Sequence, residues 1–197
     1  MTGSTQRAHG VGSADPDATP VRIIEAARAR LLADGYAALS TRKVADQAGV
    51  PLSQIHYHFG GRRGLLLAML DHEDRRLGER RRELDATAMP LSERCDQACN
   101  LLDNDLDSGS VRVLHEMLAA GWSDEAIAEQ VLARLDGWRG LLVGVVGEQD
   151  EGLAHLVGLA LLGGEALLLL GDDRSGARVR SALRGIGNLL RTLEGTR

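Results

Sequence analysis

The chain has 197 residues, a net charge of −5 at pH 7, and 44% hydrophobic but only 3% aromatic residues. This is the composition of a globular protein of one domain, or of a small domain beside a larger one, and its Leu and Ala content favours helices over strands. Two cysteines exclude a disulfide framework. The first twenty residues lack the apolar core of a signal peptide, so we expect a cytoplasmic protein.

The charge is unevenly distributed along the chain. Residues 20–70 carry seven Lys/Arg against three Asp/Glu, whereas residues 71–197 carry fifteen against twenty-three. A positive segment joined to an acidic body is typical of a small module that binds a polyanion. A similar balance also occurs in domains that bind no nucleic acid.

The N-terminal segment and the predicted first helix differ in the periodicity of their apolar residues. Residues 1–19 are rich in Gly, Ser, Thr, Asp and Pro without periodicity, which predicts a disordered arm. From Val21 the apolar residues fall at helical spacing. We expect this first helix to end at Gly35, because glycine tolerates the left-handed cap position.

Two short helices are predicted next. Ser40 can cap a helix over Thr41–Ala48. A third helix begins at about Leu52, with Ile55 and Phe59 on its inner side. Two short helices joined by a tight Ala-Gly-Val turn form a helix-turn-helix unit.

The remainder of the chain also has a helical pattern. A long helix from about Arg62 to Leu84 changes from apolar to strongly charged, which indicates a strut that leaves one core and runs towards another. No alternating strand pattern is visible, so the predicted fold class is all-α with about nine helices. Further helices are expected at roughly 91–106, 110–121, 124–147, 152–170 and 175–194.

The segment Gly35 to Leu70, "GYAALSTRKVADQAGVPLSQIHYHFGGRRGLLLAML", resembles the DNA-binding segment of the TetR family of bacterial transcriptional regulators. The family pattern is approximately Gly-aromatic, Ser/Thr-Thr, Ile/Val-Ala, Ala-Gly-Val, Leu/Ile-Tyr-x-His-Phe, a basic residue and a Leu-rich helix. The matching positions are Gly35, Tyr36, Ser40, Thr41, Val44, Ala45, Ala48, Gly49, Val50, Ile55, His58, Phe59, Arg62 and Leu65.

The resemblance implies a function and a domain organisation. It implies a dimeric, sequence-specific, non-enzymatic transcriptional regulator, a repressor that a small-molecule effector releases from a roughly palindromic double-stranded operator. The disordered arm 1–19 would precede a helix-turn-helix DNA-binding domain at 20–66 and a helical effector-binding and dimerisation domain at 67–197. The alternative is a protein-interaction adaptor on the same scaffold that reads no specific operator.

The resemblance also assigns roles to the residues around "HYH". His56 and His58 project in nearly opposite directions from a helix, so they cannot chelate one ion together. A recognition helix presents its N-terminal residues to base edges, which makes Leu52, Ser53 and Gln54 the expected base readers. The expected phosphate contacts are Ser40, Thr41, Lys43, His56, Tyr57 and Arg62, and Arg42 could reach either a base or a phosphate.

Three positions depart from the family pattern. Relatives usually carry Tyr at the position of His56, often Ser or Thr at Pro51, and frequently Gly at Ser53. These changes keep the scaffold but alter the exposed surface of the recognition helix. An operator sequence therefore cannot be transferred from a relative.

The segment 152–171, "GLAHLVGLALLGGEALLLLG", is apolar nearly all round. A membrane span is one interpretation, but the stretch barely reaches the necessary length and contains Glu165 and His155. An apolar helix in a soluble protein must be covered on every side, which favours an intersubunit four-helix bundle with the last helix. The expected homodimer interface comprises Leu159, Gly163, Leu167, Leu183, Ile186 and Leu190.

The body is expected to hold an effector cavity, as the resemblance implies, and the Leu-rich composition indicates an apolar effector. Every candidate residue could equally be ordinary core. Cys95 and Cys99, with His115, could alternatively bind a soft metal or act as a redox switch, but we predict no metal and no cofactor. The candidate lining residues are Cys95, Cys99, Leu102, Leu114, His115, Met117, Leu118, Trp122, Leu135 and Trp138.

An enzyme is not expected. The sequence contains no Gly-x-Ser-x-Gly elbow, no phosphate-binding glycine loop and no His-Glu-x-x-His pair. The "GGRRG" segment at 60–64 follows a helix rather than a strand, so it indicates a turn.

Overall fold

The computed structural model describes residues 18–82, 91–146, 151–170 and ten positions between 177 and 192. The described residues confirm the all-α fold class, since they form helices and turns without a strand. Helical residues also occur among the described positions between 177 and 192. The helices with defined bounds are α1 (Ala18–Asp34), α2 (Thr41–Ala48), α3 (Leu52–Phe59), α4 (Arg62–Arg82), α5 (Leu91–Asp107), α6 (Ser110–Gly121), α7 (Glu125–Val146) and α8 (Glu151–Leu170).

The predicted helix boundaries agree with these bounds to within a few residues. The difference is largest at the N-terminus, where α1 begins at Ala18, so the last two residues of the expected disordered arm are helical. The other residues of that arm lie outside the described part of the chain. The end of the long helix expected near Leu84 lies outside it as well.

The turn between α2 and α3 is fixed by local backbone chemistry. Ser40 adopts an extended conformation and its hydroxyl oxygen accepts a hydrogen bond from the Lys43 amide at 3.3 Å, which caps α2. Gly49 ends the helix at φ 63°, and its amide donates to the carbonyl oxygens of Ala45 and Asp46. Only glycine adopts this left-handed conformation without strain, so the tight turn depends on it.

A second glycine allows α3 and α4 to meet closely. A Cβ atom at Gly64 would lie 1.9 Å from the Phe59 carbonyl oxygen, which no rearrangement of a side chain could relieve. Gly64 therefore lets the first turn of α4 pack directly against the end of α3.

The main core joins the first four helices to α6 and α7. It includes Ile23 and Leu31 of α1, Ile55 of α3, Met117 of α6 and Ile127 of α7, all fully buried. The boundary expected between residues 66 and 67 falls inside α4, and this core is continuous across it. Movement of α6 or α7 is therefore coupled by direct packing to the helices that carry the helix-turn-helix unit.

A second apolar cluster lies among α5, α6 and α8. Leu102 of α5 and Val111 of α6 form its buried centre, and Leu161 and Leu168 of α8 pack against it. In the described residues no helix combines the length and apolar character needed to cross a membrane.

Candidate nucleic-acid interface

The outer face of α3 is exposed to solvent. Ile55 is fully buried and anchors the helix, while Leu52 is 37% and Tyr57 81% exposed. Ser53 and His56 are also exposed, and Gln54 is half-buried. All three expected base readers thus lie on the first turn of α3, on a surface that the described residues leave accessible.

The start of α2 carries two exposed basic residues next to α3. The ammonium group of Lys43 donates to Asp34 Oδ2 at 3.3 Å and to the Ala38 carbonyl oxygen at 3.4 Å. Burial opposes ionisation of the Asp34 carboxyl group, but the bond from Lys43 and the charge of Arg30 hold its pKa below the usual value. Arg42 is exposed on the same turn. The Lys43 ammonium group is therefore held by its contacts to Asp34 and Ala38, whereas the Arg42 side chain is exposed.

Arg62 contacts Tyr36 in two ways. Its Nη2 donates to the Tyr36 carbonyl oxygen at 2.8 Å, and its guanidinium carbon lies 4.4 Å from the centre of the Tyr36 ring. The second distance is that of a cation–π interaction. The side chain remains exposed, so these contacts orient the guanidinium group at the edge of the interface.

The "HYH" stretch is not arranged as a metal site. His58 is half-buried between the rings of Tyr57, at a centroid distance of 4.9 Å, and Phe59, at 6.0 Å. His56 is exposed on the opposite side. Within the part of the chain that the structure describes, no three His, Cys, Asp or Glu residues are grouped to hold a metal ion.

Two contacts that the sequence did not reveal join this interface to the body. The Tyr36 amide donates to Glu116 Oε2 of α6 at 2.9 Å. Arg63 Nε donates to Asp124 Oδ2 at 2.8 Å, just before α7. The hydrogen bond from Arg63 is the main cause that lowers the pKa of the Asp124 carboxyl group. A Ser-Asp-Glu stretch before a helix is a capping signal, but it does not indicate which partner the carboxylate meets.

The residues expected to line an effector cavity do not form a single group. Trp122 is 92% exposed, and the structure therefore places it on the surface of the described chain rather than in a cavity. The side chains of Cys95, Cys99 and Trp138 lie outside the described residues. The others are buried or half-buried in the two apolar clusters or beside them: Leu102, Leu114, His115, Met117, Leu118 and Leu135.

One cavity adjoins these residues, and the sequence predicted only part of its lining. Among the expected residues whose side chains the structure describes, Leu114 is the one that lines it. Three of its other lining residues, Glu73, Asp105 and Glu165, are buried carboxylates. Helical spacing did not predict them, because acidic residues are normally solvent-exposed.

The outward face of α8 carries the expected dimer residues that the structure describes. Leu159 and Leu167 are each 58% exposed, and Gly163 lies exposed between them. Leu156 and Leu170 extend the same stripe and are also exposed. The side chains of the remaining expected interface residues, Leu183, Ile186 and Leu190, lie outside the described residues.

The fold and the helix-turn-helix geometry define the class of this protein: a helical DNA-binding regulator. Residues 23–69 match the sequence family described as "Bacterial regulatory proteins, tetR family". No curated protein sequence is significantly similar to the chain.

Solved structures share the fold over nearly their whole length. A TetR transcription regulator from Haloarcula marismortui has a TM-score of 0.75 at 19% identity, covering 88% of this chain and 96% of that one. A TetR-family member from Streptomyces coelicolor has a TM-score of 0.73 at 26% identity, covering 87% and 97%. The multidrug binding protein EbrR, complexed with imidazole, has a TM-score of 0.67 at 26% identity, covering 89% and 96%. The chain thus has the TetR-family fold, and residues 23–69 are its TetR-family helix-turn-helix segment.

Proposed function

We propose that this protein is a dimeric, sequence-specific repressor that a small-molecule effector releases from its operator. The observation that carries the proposal is the exposed first turn of α3, held in place by the buried Ile55 and flanked by Arg42 and Arg62. An exposed recognition helix between basic residues suits entry into the major groove of DNA.

The proposed contacts follow from this placement. Gln54 can pair in bidentate fashion with adenine, Leu52 can pack on a thymine methyl group, and Ser53 can accept or donate to either base. The proposed phosphate contacts position the helix without reading sequence. They are Ser40, Thr41, Arg42, Lys43, His56, Tyr57 and Arg62.

The proposed dimer uses the exposed leucine stripe of α8. An apolar face of this kind is stabilised when a second copy covers it. A two-fold dimer places two copies of α3 about one DNA turn, roughly 34 Å, apart, so the operator should be approximately palindromic.

The proposed release mechanism assumes three parts of the chain. These are an arm (1–19), a DNA-binding domain (20–66) and an effector-binding and dimerisation domain (67–197). Structures of EbrR hold imidazole and malachite green, both small organic molecules. We propose that an effector with an apolar part binds in the body here and moves α4 and α6, which changes the spacing of the two α3 helices. By thermodynamic linkage, operator DNA then weakens effector binding by the same factor.

Selection of duplexes from a random pool tests the proposal. The full-length protein is incubated with the pool at about 150 mM salt, and the bound fraction is enriched and sequenced. The expected result is a palindromic motif whose binding falls steeply with salt. A folded dimer that enriches no motif would contradict sequence-specific reading and leave the adaptor as the better explanation.

A further inference from the structure

Tyr36, in the connection between α1 and α2, joins the body of the protein to an exposed arginine of the DNA-binding surface. On one side its amide donates to Glu116 Oε2 of α6 at 2.9 Å. On the other side its carbonyl oxygen accepts from Arg62 Nη2 at 2.8 Å, and the centre of its ring lies 4.4 Å from the Arg62 guanidinium carbon. A carboxylate on α6 and a guanidinium group on α4 are therefore connected through a single residue.

The backbone at Tyr36 is held by few contacts. Gly35 precedes it with φ 76°, and a Cβ atom there would lie 3.5 Å from Glu116 Oε1, so the carboxylate lies directly against this turn. The Leu39 amide donates to the Tyr36 carbonyl oxygen at 3.3 Å, and the Tyr36 ring is half-buried against the main core. Among the described residues, Glu116 alone bonds to the Tyr36 amide. It therefore fixes the peptide group that directly precedes the Tyr36 side chain and carbonyl.

Glu116 is itself held in place on α6. Its side chain is 26% exposed, and its Oε1 lies 3.8 Å from Arg112 Nε, one turn earlier on the same helix. Val113 and Met117 of the same helix are fully buried in the main core, which fixes the backbone of α6 at this point. A carboxylate also accepts a stronger hydrogen bond from an amide than a neutral oxygen does.

Arg62 depends on such support because it is exposed. An exposed arginine has many rotamers, and fixing one of them when DNA binds costs conformational entropy. The Tyr36 carbonyl and ring restrict the guanidinium group before DNA arrives, which lowers that cost. This restriction holds only while Tyr36 keeps its position.

We propose that Glu116 is a positioning residue for DNA binding: it holds Tyr36, and Tyr36 orients Arg62 towards a backbone phosphate. The inference rests on the proposed regulator function and adds to it a residue of the body. Because Glu116 belongs to α6, a displacement of α6 reaches Arg62 through Tyr36 without passing through α3. Such a displacement weakens binding to specific and random DNA alike, since phosphate contacts read no sequence.

Fluorescence anisotropy of the full-length protein, with its selected operator and with random duplex, tests this role. Glu116→Ala should weaken binding to both DNAs about threefold to tenfold and lower the salt slope by about one, as the loss of one phosphate contact does. By charge alone, removing a carboxylate strengthens DNA binding, so the sign of the effect separates positioning from electrostatics. Unchanged or tighter binding would overturn the proposal.

The matched control is Glu129→Ala. It removes the same charge from an exposed position on α7 and should not weaken binding. Glu116→Gln keeps an oxygen acceptor at the same place, so its affinity should stay within about twofold of the wild type. Failure of Glu116→Gln to restore binding would overturn the positioning role.

A double-mutant cycle separates this role from a general effect on folding. In the Arg62→Ala background, Glu116→Ala should cause no further loss of DNA affinity, because the phosphate contact is already absent. A loss of the same size in both backgrounds would show that Glu116 does not act through Arg62, which would refute the proposal.

Proton NMR of the DNA-free protein gives a readout that does not depend on DNA. The Arg62 side-chain protons should show a ring-current shift from Tyr36 that disappears in Glu116→Ala and remains in Glu116→Gln. That result, in a protein that selects no operator motif, would support the positioning of Arg62 while contradicting the proposed function. A normal operator motif, with the shift unchanged in Glu116→Ala, would overturn the positioning role and leave the proposed regulator intact.

Discussion

The outer faces of α3 and α8 are both exposed in the described chain, but their chemistry differs. The α3 face presents hydroxyl, amide, imidazole and phenol groups beside Arg42 and Arg62. The α8 face presents a stripe of leucines with no charged residue among them. The first surface is compatible with water and with a polyanion, so it can remain open between binding events. The second is compatible with neither, which is the reason for the proposal that a second copy of the chain covers it.

The largest effect is expected on α8. Replacing Leu159 and Leu167 together by Glu should dissociate the dimer, because each leucine contributes about 1.5–3 kcal/mol when buried and each carboxylate must be desolvated. Sedimentation velocity should show a monomer, and operator affinity should fall by more than about a hundredfold.

Leu132→Glu is the matched control for this experiment. Leu132 is 60% exposed on α7, close to the 58% of each of the two α8 leucines, but it lies outside the proposed interface. A double variant that remains dimeric, or a control that dissociates equally, would contradict the assignment of the interface to α8.

The next effect concerns base reading by α3. Gln54→Ala should cost about 1–3 kcal/mol on the preferred operator and relax the base preference at one position. Fluorescence anisotropy with the operator and with random duplex measures the loss of affinity and the change in base preference. Gln47→Ala, an exposed glutamine on α2, serves as the control. Equal losses on the two DNAs would mean that Gln54 reads no base.

A smaller effect distinguishes two arginines at the same interface. Arg42→Ala and Arg62→Ala should each weaken specific and random binding and lower the salt slope by about one. Only Arg62→Ala should also lower the free energy of unfolding, by about 0.5–1 kcal/mol, because only Arg62 is stacked on Tyr36. An unchanged salt slope for either variant would remove that residue from the phosphate contacts.

The smallest effect is a pH dependence at the junction with the body. The pKa of Asp124 is lowered in the folded state, mainly by the hydrogen bond from Arg63. Its contribution to stability is therefore present above the usual value of 3.8 and is lost as the pH falls through the lowered folded-state pKa.

Arg63→Gln should raise the pKa of Asp124 in a carbon-13 NMR titration, and its stability deficit should disappear on acidification. Arg75→Gln, an exposed arginine on α4, should leave that pKa unchanged. An Asp124 pKa that Arg63→Gln does not move would show that the Arg63 contact is unimportant in solution.

The sequence determined the local structure of this protein to a large extent. The bounds of α2 were predicted from Ser40 and Gly49 alone, because a cap and a left-handed glycine act within a few residues. The exposed and buried sides of α3 followed from helical periodicity, with Ile55 inward and Tyr57 outward. The fold class and the TetR resemblance rest on the same short-range signals.

Only the tertiary structure decided which distant residues meet. Glu73, Asp105 and Glu165 lie on three helices, and no spacing along the chain indicates that they line one cavity. Trp122 was expected inside and lies 92% exposed, because an aromatic residue at a helix end carries no periodic signal of its own direction. Periodicity reports the face on which a residue sits within its own helix, whereas burial and charge pairing depend on which other helix covers that face.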